Sequence, residues 1–268
     1  MILEELAYDQ LECQQRSEEA RRKANAEQRR VIDEVRRAVD NPEDFALPRV
    51  FFVDGPGGTG KTFLENALLD GVRGQGKVAL AMAFSGIAAQ LLVGGRTSHS
   101  RTKCPLHLHE DTICNMVKQS DEAAILREAA LIIWDEASMI HRYMLEAVDR
   151  LLRDVTDIDN PFGGKTILLA GDFRQVLPIV SRGTRADISG IVLSRSPLWC
   201  HFHVLRLTTN MRAALMVQAG DHALAQAQQS FANYLLRIGA GADTSGACMV
   251  LPSFILLSDD RYCASDRC

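Results

Sequence analysis

Short apolar runs of strand length alternate along the chain with stretches whose apolar residues recur at helical spacing. The runs predict strands over residues 50–53, 78–84, 131–136, 166–172 and 202–207. The intervening stretches predict helices over residues 26–39, 61–73, 86–92 and 144–152, and one more near 231–238. Strands that alternate with helices predict an α/β fold, with a parallel sheet and helices on both of its faces.

The two ends of the chain differ from this middle part. Residues 1–23 have sparse, irregularly spaced apolar positions among many charges, which predicts an exposed helical extension. Residues 24–212 form the α/β domain in this interpretation. Residues 213–268 contain the last helical pattern and then a tail rich in Gly, Ser and Asp, with a single strand candidate at 249–251. We expect a short stub or an irregular tail there.

Residues 55–62 read Gly-Pro-Gly-Gly-Thr-Gly-Lys-Thr and fit the pattern G-x-x-x-x-G-K-[ST] between a predicted strand and a predicted helix. This is the context of a phosphate-binding loop. Glycines let successive N–H groups point at an anion, and the following helix adds its positive N-terminal end. We expect Lys61 to reach the outer phosphates and the Thr62 hydroxyl to ligate Mg²⁺. The predicted nucleotide-binding residues of the loop are Gly55, Pro56, Gly57, Gly58, Thr59, Gly60, Lys61 and Thr62.

Two other interpretations of these glycines are a turn with an incidental lysine and the dinucleotide fingerprint G-x-G-x-x-G, which residues 55–60 also spell. That fingerprint needs an acidic residue about 20 residues further on. The next predicted strand ends in Phe84-Ser85-Gly86 without an acid, whereas a lysine followed by a threonine suits a triphosphate. The nucleoside-triphosphate interpretation is therefore favoured.

Polar residues that follow three later strands are the candidate catalytic groups. Asp135 and Glu136 end an apolar strand, so we expect Asp135 to hold Mg²⁺ through water and Glu136 to deprotonate the attacking water. Gln175 follows the next strand and either senses the terminal phosphate or merely caps a turn. Arg212 follows the last strand, where an arginine can neutralise charge on the transferred phosphoryl group.

Gln28 has two interpretations. It stands three residues after Asn25, as in a capping box at the start of the helix over 26–39. A glutamine amide can also pair with the edge of adenine. On spacing alone, capping is favoured.

A polar, basic loop at residues 93–103 follows the second strand and its helix. Ligands of open α/β sheets bind at the carboxyl ends of the strands. Hydroxyl and N–H groups suit contacts with a phosphate backbone, and Arg96, Arg101 and Lys103 supply positive charge. An ordinary exposed loop is the alternative.

Composition limits the classes of protein. With 268 residues, 47% apolar and 24% charged, the chain is typical of a soluble globular protein of one to two domains. No apolar run approaches the roughly 18 residues that a membrane span needs. The N-terminus lacks the layout of a secretory signal, and none of the seven cysteines forms C-x-x-C, so we expect an intracellular protein with reduced thiols. The net charge of −4 gives no overall attraction to nucleic acid, which would have to bind local basic patches.

Taken together, these ordered blocks resemble the PIF-type (petite integration frequency) 5′→3′ DNA helicases, including the helicase part of rolling-circle, helitron-type transposons. Residues 25–28 resemble the family's adenine-reading motif, which favours the adenine role of Gln28. Other segments resemble its ATP-site motifs, namely residues 55–62, 135–136 and 171–175. Residues 144–152 resemble its signature helix, and residues 207–212 its arginine-bearing motif. Segments 84–89 and 94–100 resemble its contacts with single-stranded DNA, with the candidate DNA-binding residues Phe84, Ser85, Thr97 and His99.

The resemblance implies a RecA-like P-loop NTPase fold, ATP and Mg²⁺ as cofactors, and single-stranded DNA as partner. It also implies roles in DNA repair, recombination and telomere maintenance, in the nucleus or mitochondrion of a eukaryote. Family members carry a second RecA-like lobe that has no counterpart in residues 213–268, so we expect the first lobe and a truncated start of the second. Two alternatives stay open: a non-unwinding remnant that binds nucleotide or DNA, and a P-loop ATPase switch without DNA.

Overall fold

The computed structural model describes residues 2–44, 46–175, 178–179 and 183–239, without the side chains of Leu3 and Arg185. Its strands are β1 (Val50–Asp54), β2 (Val78–Ala83), β3 (Arg96–Thr97), β4 (Ala129–Asp135), β5 (Thr166–Gly171) and β6 (His203–Arg206). All neighbouring strands pair in parallel, in the order β3-β2-β4-β5-β1-β6.

The α-helices of the described residues connect these strands and extend the chain at both ends. They are α1 (Ile2–Glu5), α2 (Gln10–Lys23), α3 (Ala26–Asp40), α4 (Lys61–Arg73), α5 (Gly86–Leu91), α6 (Ser98–Thr102), α7 (Asp121–Glu128), α8 (Arg142–Thr156), α9 (Arg185–Gly190), α10 (Met211–Gln218) and α11 (His222–Gly239). No helix in this described part is both long and apolar enough to cross a bilayer.

The sheet is covered on both faces because its central strands are apolar on both sides. Phe51 and Val53 of β1 pack with α3 and α4 in one core, while Val50 and Phe52 pack with α7 and α8 in the other. Every residue of β1, β2 and β5 is buried. The predicted α/β fold with helices on both faces is therefore confirmed.

Parallel register brings the ends of the central strands to one edge of the sheet. Asp54 at the end of β1 pairs with Gly171 at the end of β5, and Trp134 of β4 pairs with Leu169 of β5. The loop after β1 and the acids after β4 therefore lie at the same edge, with only β5 between their strands.

The helical character expected of residues 1–23 is confirmed, and most residues of α2 are exposed, but one face of this helix is attached to the domain. Helix α2 packs along α4, where Gln14 Nε2 donates to the Gly74 carbonyl at 2.6 Å and Ser17 Oγ donates to the Ala67 carbonyl at 3.0 Å. Arg16 donates two hydrogen bonds to Asp70, at 2.9 and 3.0 Å. Polar side chains rather than an apolar stripe attach this helix, which is why hydrophobic periodicity missed the contact.

The helix predicted near 231–238 is confirmed as part of α11. Its larger apolar residues Phe231, Tyr234 and Leu235 are exposed among the described residues, and Ala225 is buried. The strand candidate at 249–251 lies outside the described residues.

We predict that Arg16→Ala lowers the free energy of unfolding by about 1–3 kcal/mol, because the nearly buried Asp70 carboxylate loses two charged donors. Urea denaturation followed by circular dichroism measures the effect. Arg22→Ala on the same helix is the matched control: Arg22 lies 3.8 Å from the exposed Glu18, and its loss is expected to change stability by less than about 0.5 kcal/mol. Equal effects of the two substitutions would contradict the attachment of α2 through Asp70.

Candidate active site

The loop from Gly55 to Gly60 leaves the buried end of β1 and leads directly into α4. Gly58 and Gly60 have φ values of 88° and 83°, which side chains rarely adopt. A Cβ on Gly60 would lie 2.5 Å from Gln28 Nε2, and one on Gly55 would lie 2.6 Å from Thr59 Oγ1. Gly60 is the N-cap of α4 and provides no side-chain cap, so the first N–H groups of this helix remain available to an anion.

Lys61 lies within the curve of this loop. Its ammonium donates to the Gly55 carbonyl at 2.6 Å, and the Thr59 hydroxyl donates to the Pro56 carbonyl at 2.8 Å. A phosphate oxygen placed in the loop would be a charged acceptor for Lys61 and would form a stronger bond than a neutral carbonyl. The loop geometry and its cation therefore fit the phosphates of a nucleotide.

The acid pair lies at the end of β4. Asp135 is buried, and its Oδ1 accepts a hydrogen bond from the Glu136 backbone N–H at 2.7 Å. Burial raises the pKa of Asp135, and the charge of Lys61 acts in the opposite direction. Burial and then the charge of Asp135 raise the pKa of the half-buried Glu136, again against Lys61. The structure thus brings the loop lysine and both predicted acids within electrostatic reach of one another.

Glu136 has a left-handed backbone, with φ 53°. This conformation is uncommon for a residue with a side chain and costs about 1–3 kcal/mol. Such outliers cluster at functional sites, which is consistent with the catalytic role predicted for Glu136.

The donor set suits Mg²⁺ bound together with phosphates. Among the described residues no group of three or more His, Cys, Asp or Glu side chains is arranged to hold a metal. Mg²⁺ is commonly held by one or two carboxylates plus substrate phosphates, and it retains several waters. Asp135 and the Thr62 hydroxyl, both predicted as metal-binding residues, offer hard oxygen atoms of the required type.

Glu65 is a further acid of this site, one turn after Lys61 on α4. Its side chain is fully buried, and neither of its oxygens has a hydrogen-bond donor among the described residues. Burial raises the pKa of Glu65 well above its usual value, and the adjacent Asp135 charge raises it further. A buried carboxyl group that lacks a donor and lies beside another carboxylate is favoured in its neutral form, so we assign a proton to Glu65.

Residues after β5 are connected to the acid pair by Ser138. Its hydroxyl accepts from the Asp172 backbone N–H at 3.2 Å. Asp172 in turn accepts from Arg174 Nη1 at 3.1 Å and from Gln175 Nε2 at 3.3 Å. Gln175 therefore contacts its own turn, as the capping alternative expects, and its role towards a terminal phosphate stays a prediction.

Arg212 lies in the first turn of α10, beside the phosphate loop. A Cβ on Gly58 would lie 3.5 Å from Arg212 Cδ, and the Met211 N–H donates to the Gly58 carbonyl at 2.9 Å. The structure therefore places the predicted arginine next to the loop.

Gln28 caps α3 and also contacts the loop. Its Oε1 accepts from the Asn25 N–H at 3.1 Å in a complete capping box, and its Nε2 donates to the Thr59 carbonyl at 2.9 Å. The capping interpretation is confirmed. Contact with adenine stays a prediction.

The four candidate DNA-binding residues lie at the ends of β2 and β3, at the same sheet edge as the loop and separated from β1 by β4 and β5. Ser85 caps α5, Thr97 caps α6, and His99 Nδ1 lies 2.9 Å from the Cys104 carbonyl oxygen. Phe84 is half-buried against the core. Helix capping and the other local contacts give these four residues structural roles. Their binding to DNA stays a prediction.

The positive charge expected of residues 93–103 is smaller than the sequence indicates. Arg101 is buried and forms an ion pair with Glu5, with 2.9 Å between Nη1 and Oε1. Lys103 lies 3.4 Å from Glu122, whereas Arg96 is exposed. The expectation that Arg101 supplies positive charge to this loop is therefore wrong, because Glu5 pairs with that charge.

A sequence profile described as PIF1-like helicase matches residues 23–247. The chain belongs to the PIF1-like helicase family. Among its relatives, the ATP-dependent DNA helicase Pif1 of Psychrobacter sp. is 34% identical over 163 residues, covering 60% of this chain and 25% of that protein. The ATP-dependent DNA helicase RRM3 of Saccharomyces cerevisiae is 30% identical over 136 residues, covering 49% of this chain and 18% of that protein. The chain thus spans a quarter of the first relative's length and less than a fifth of the second's.

Solved structures of PIF1-like helicases share the fold. Bacteroides Pif1 bound to ssDNA has a TM-score of 0.55 at 28% identity, over 67% of this chain and 42% of that one. Bacteroides sp Pif1 in complex with ADP-AlF4 has a TM-score of 0.57 at 27% identity, over 70% of this chain and 42% of that one. The RecA-like P-loop fold implied by the sequence resemblance is therefore confirmed.

Three residues of this PIF1-like site were not predicted from the sequence. Glu65 follows Lys61 at helical spacing, which is a usable signal. Ser138 lies in a short 3₁₀ turn without a recognisable pattern. Glu27 precedes Gln28, and its contacts are with residues about 180 positions away.

We predict that Glu65→Gln makes stability less dependent on pH. A raised native pKa means that the folded state retains a proton that the unfolded state releases, so the contribution of Glu65 to stability is lost as pH rises above the usual value of about 4.3. Relative to the unmodified chain, the free energy of unfolding of Glu65→Gln should rise by about 1.4 kcal/mol per pH unit, until the pH reaches the native pKa of Glu65. We call this difference in unfolding free energy the advantage of Glu65→Gln.

Urea denaturation between pH 5 and 8, in EDTA and without nucleotide, measures this advantage. Glu19→Gln is the matched control, because Glu19 is exposed and pairs with Lys23, which lowers its pKa. An advantage of Glu65→Gln that does not change with pH would contradict the assigned proton.

Proposed function

We propose that the site binds Mg-ATP in the loop of residues 55–62 and hydrolyses it in response to single-stranded DNA, as the first RecA-like lobe of a 5′→3′ PIF-type DNA helicase. The observation that carries this proposal is the meeting of the loop lysine with the acid pair at one sheet edge, where the charge of Lys61 acts on both Asp135 and Glu136. Membership of the PIF1-like family supports the choice of a helicase over other P-loop proteins.

Each residue has a separate part in the proposed hydrolysis. Backbone N–H groups of the loop and the Lys61 ammonium bind the phosphates. Asp135 and Thr62 would hold Mg²⁺, which neutralises charge on the phosphates when bound. Glu136 orients the attacking water and takes its proton, and its raised pKa makes it a better base than an ordinary glutamate.

The remaining candidates complete the site. Gln175 senses the terminal phosphate after leaving its contact with Asp172, and Arg212 neutralises charge as the bond to the leaving phosphate breaks. Gln28 contacts adenine. Phe84, Ser85, Thr97 and His99 contact single-stranded DNA, a proposal supported by the ssDNA-bound Bacteroides relative.

Unwinding needs two lobes that close and open around the nucleotide, whereas the described residues contain one sheet. We therefore assign ATP turnover to this site and unwinding to the two-lobed assembly. By family resemblance we propose roles in DNA repair, recombination and telomere maintenance, in the nucleus or mitochondrion if the source is a eukaryote. Two alternatives are a remnant that binds nucleotide or DNA without hydrolysing ATP, and a P-loop ATPase switch that does not respond to DNA. The first experiment distinguishes them.

The first experiment measures phosphate release from ATP with and without single-stranded DNA. We expect DNA to stimulate release and Lys61→Ala to abolish it, because the lysine binds the transferred phosphate. Release that ignores DNA would indicate the switch, and no release from the unmodified chain would indicate the remnant.

We further predict that Glu136→Gln slows hydrolysis by about 10²–10⁴-fold, because an amide cannot take the proton of water. Affinity for ATP, measured by fluorescence with a labelled nucleotide, should change by less than about threefold, since binding depends on the loop. Glu128→Gln is the control, because Glu128 is exposed just before the opposite end of β4. Hydrolysis by Glu136→Gln at the unmodified rate would contradict the assignment of the base.

A further inference from the structure

The first turn of α3 contacts two different segments of the proposed ATP site. Gln28 bonds to the phosphate loop at the Thr59 carbonyl. One residue earlier, the Glu27 carboxylate accepts hydrogen bonds from the Thr208 N–H at 2.8 Å and the Thr209 N–H at 3.1 Å, and a third from the Thr208 hydroxyl. The segment that Glu27 contacts is the one that leads to Arg212.

Further hydrogen bonds restrict the short segment between the Glu27 contact and Arg212. We call the contact of Glu27 with Thr208 and Thr209 the Glu27 anchor. The Leu207 N–H donates to the Asp54 carbonyl at 2.8 Å, which fixes the segment where it leaves β6. Asn210 Oδ1 caps α10 by accepting from the N–H groups of Arg212 at 3.1 Å and Ala213 at 3.2 Å. Between these two fixed points, Thr208 and Thr209 have their N–H groups bound by Glu27. The carboxylate therefore sets the course of the turn that begins α10.

The strength of this anchor follows from its charge. A carboxylate that accepts from backbone N–H groups forms stronger hydrogen bonds than a neutral acceptor. Partial burial of Glu27 raises its pKa, but the hydrogen bonds from Thr208 and Thr209 outweigh this effect and lower the pKa overall. Glu27 is therefore ionised at neutral pH and holds both residues.

We propose that Glu27 is a positioning residue for ATP hydrolysis, which holds the Thr208–Thr209 turn on α3 so that Arg212 stays beside Gly58. The inference rests on the proposed function of this site. Glu27 acts through Arg212 and does not itself contact the reacting atoms. A small displacement of a catalytic group lowers the rate of the chemical step far more than it lowers substrate binding.

Glu34 provides a matched comparison on the same helix. It lies two turns after Glu27, and its carboxylate contacts the other end of β6, with 2.8 Å between Oε2 and His203 Nε2. Both glutamates thus tie α3 to the same strand or to the segment after it. Of these two glutamates, Glu27 is the one that binds the Thr208–Thr209 segment before Arg212.

The test compares Glu27→Ala, Glu27→Gln, Glu34→Ala, Arg212→Ala and the double variant Glu27→Ala/Arg212→Ala in the full chain with single-stranded DNA. The measurements are kcat and KM for ATP, and the affinities for ADP and for ADP with aluminium fluoride, which imitates the transition state. Thermal unfolding of each variant reports loss of structure separately.

We expect Glu27→Ala to lower kcat and the preference for ADP with aluminium fluoride by about tenfold, with ADP affinity changed less than about twofold. Glu27→Gln should recover part of this loss, because its amide oxygen still accepts one N–H bond. Glu34→Ala should leave kcat within about twofold of the unmodified value. Loss of Glu27 should add nothing in the Arg212→Ala background, because the two residues act as one unit.

Independent, multiplying effects of Glu27→Ala and Arg212→Ala would overturn the inference, as would equal loss of kcat in Glu27→Ala and Glu34→Ala. An unmodified chain that hydrolyses no ATP and does not prefer ADP with aluminium fluoride over ADP would refute the proposed function, and the positioning role with it. Normal turnover in the unmodified and Glu27→Ala chains would refute the positioning role alone.

Discussion

Parallel pairing of β1, β5 and β4 is the constraint on which the rest of the site depends. Because β5 pairs with both neighbours, the ends of all three strands stand at one edge, and so do the loop after β1 and the acids after β4. Apolar side chains fill cores on both faces of these strands. A slip of one residue would turn these side chains to the opposite face, so packing fixes the register and with it the distance between Lys61 and Asp135.

Backbone hydrogen bonds hold the loop to the end of β5 and to the start of α10. The Gly55 N–H donates to the Gly171 carbonyl at 3.2 Å, and the Met211 N–H donates to the Gly58 carbonyl at 2.9 Å. Among the described residues, the Lys61 ammonium acts electrostatically on the carboxyl groups of Asp135, Glu136 and Glu65, and Glu65 is uncharged by our assignment. Several carboxylates in a site with little water repel one another and lose hydration, which destabilises their charged forms. A divalent cation bound together with the nucleotide phosphates would stabilise these carboxylates.

The sequence predicted those parts of the structure that local patterns determine. Helix α4 begins and ends where its glycines and periodicity place it, at Lys61 and Arg73, and the acid pair follows its apolar strand as expected. The sequence does not reveal that the charge of Arg101 is paired and buried, because its partner Glu5 is 96 residues away and no local pattern indicates such a contact. The sequence does not single out Glu65, because a charged residue within a helix is usually exposed, whereas here Glu65 is fully buried. Long-range polar contacts therefore account for most of what sequence reasoning did not reach.

The proposed turnover requires a nucleotide whose phosphates lie in the loop while its metal lies next to the acid pair. A crystal structure of the chain with Mg²⁺ and a non-hydrolysable ATP analogue tests this arrangement most directly. We expect the outer phosphates to contact the Lys61 ammonium and the N–H groups at the start of α4, with Mg²⁺ between Thr62 and Asp135. A nucleotide bound away from residues 55–62, or a metal remote from Asp135, would contradict it.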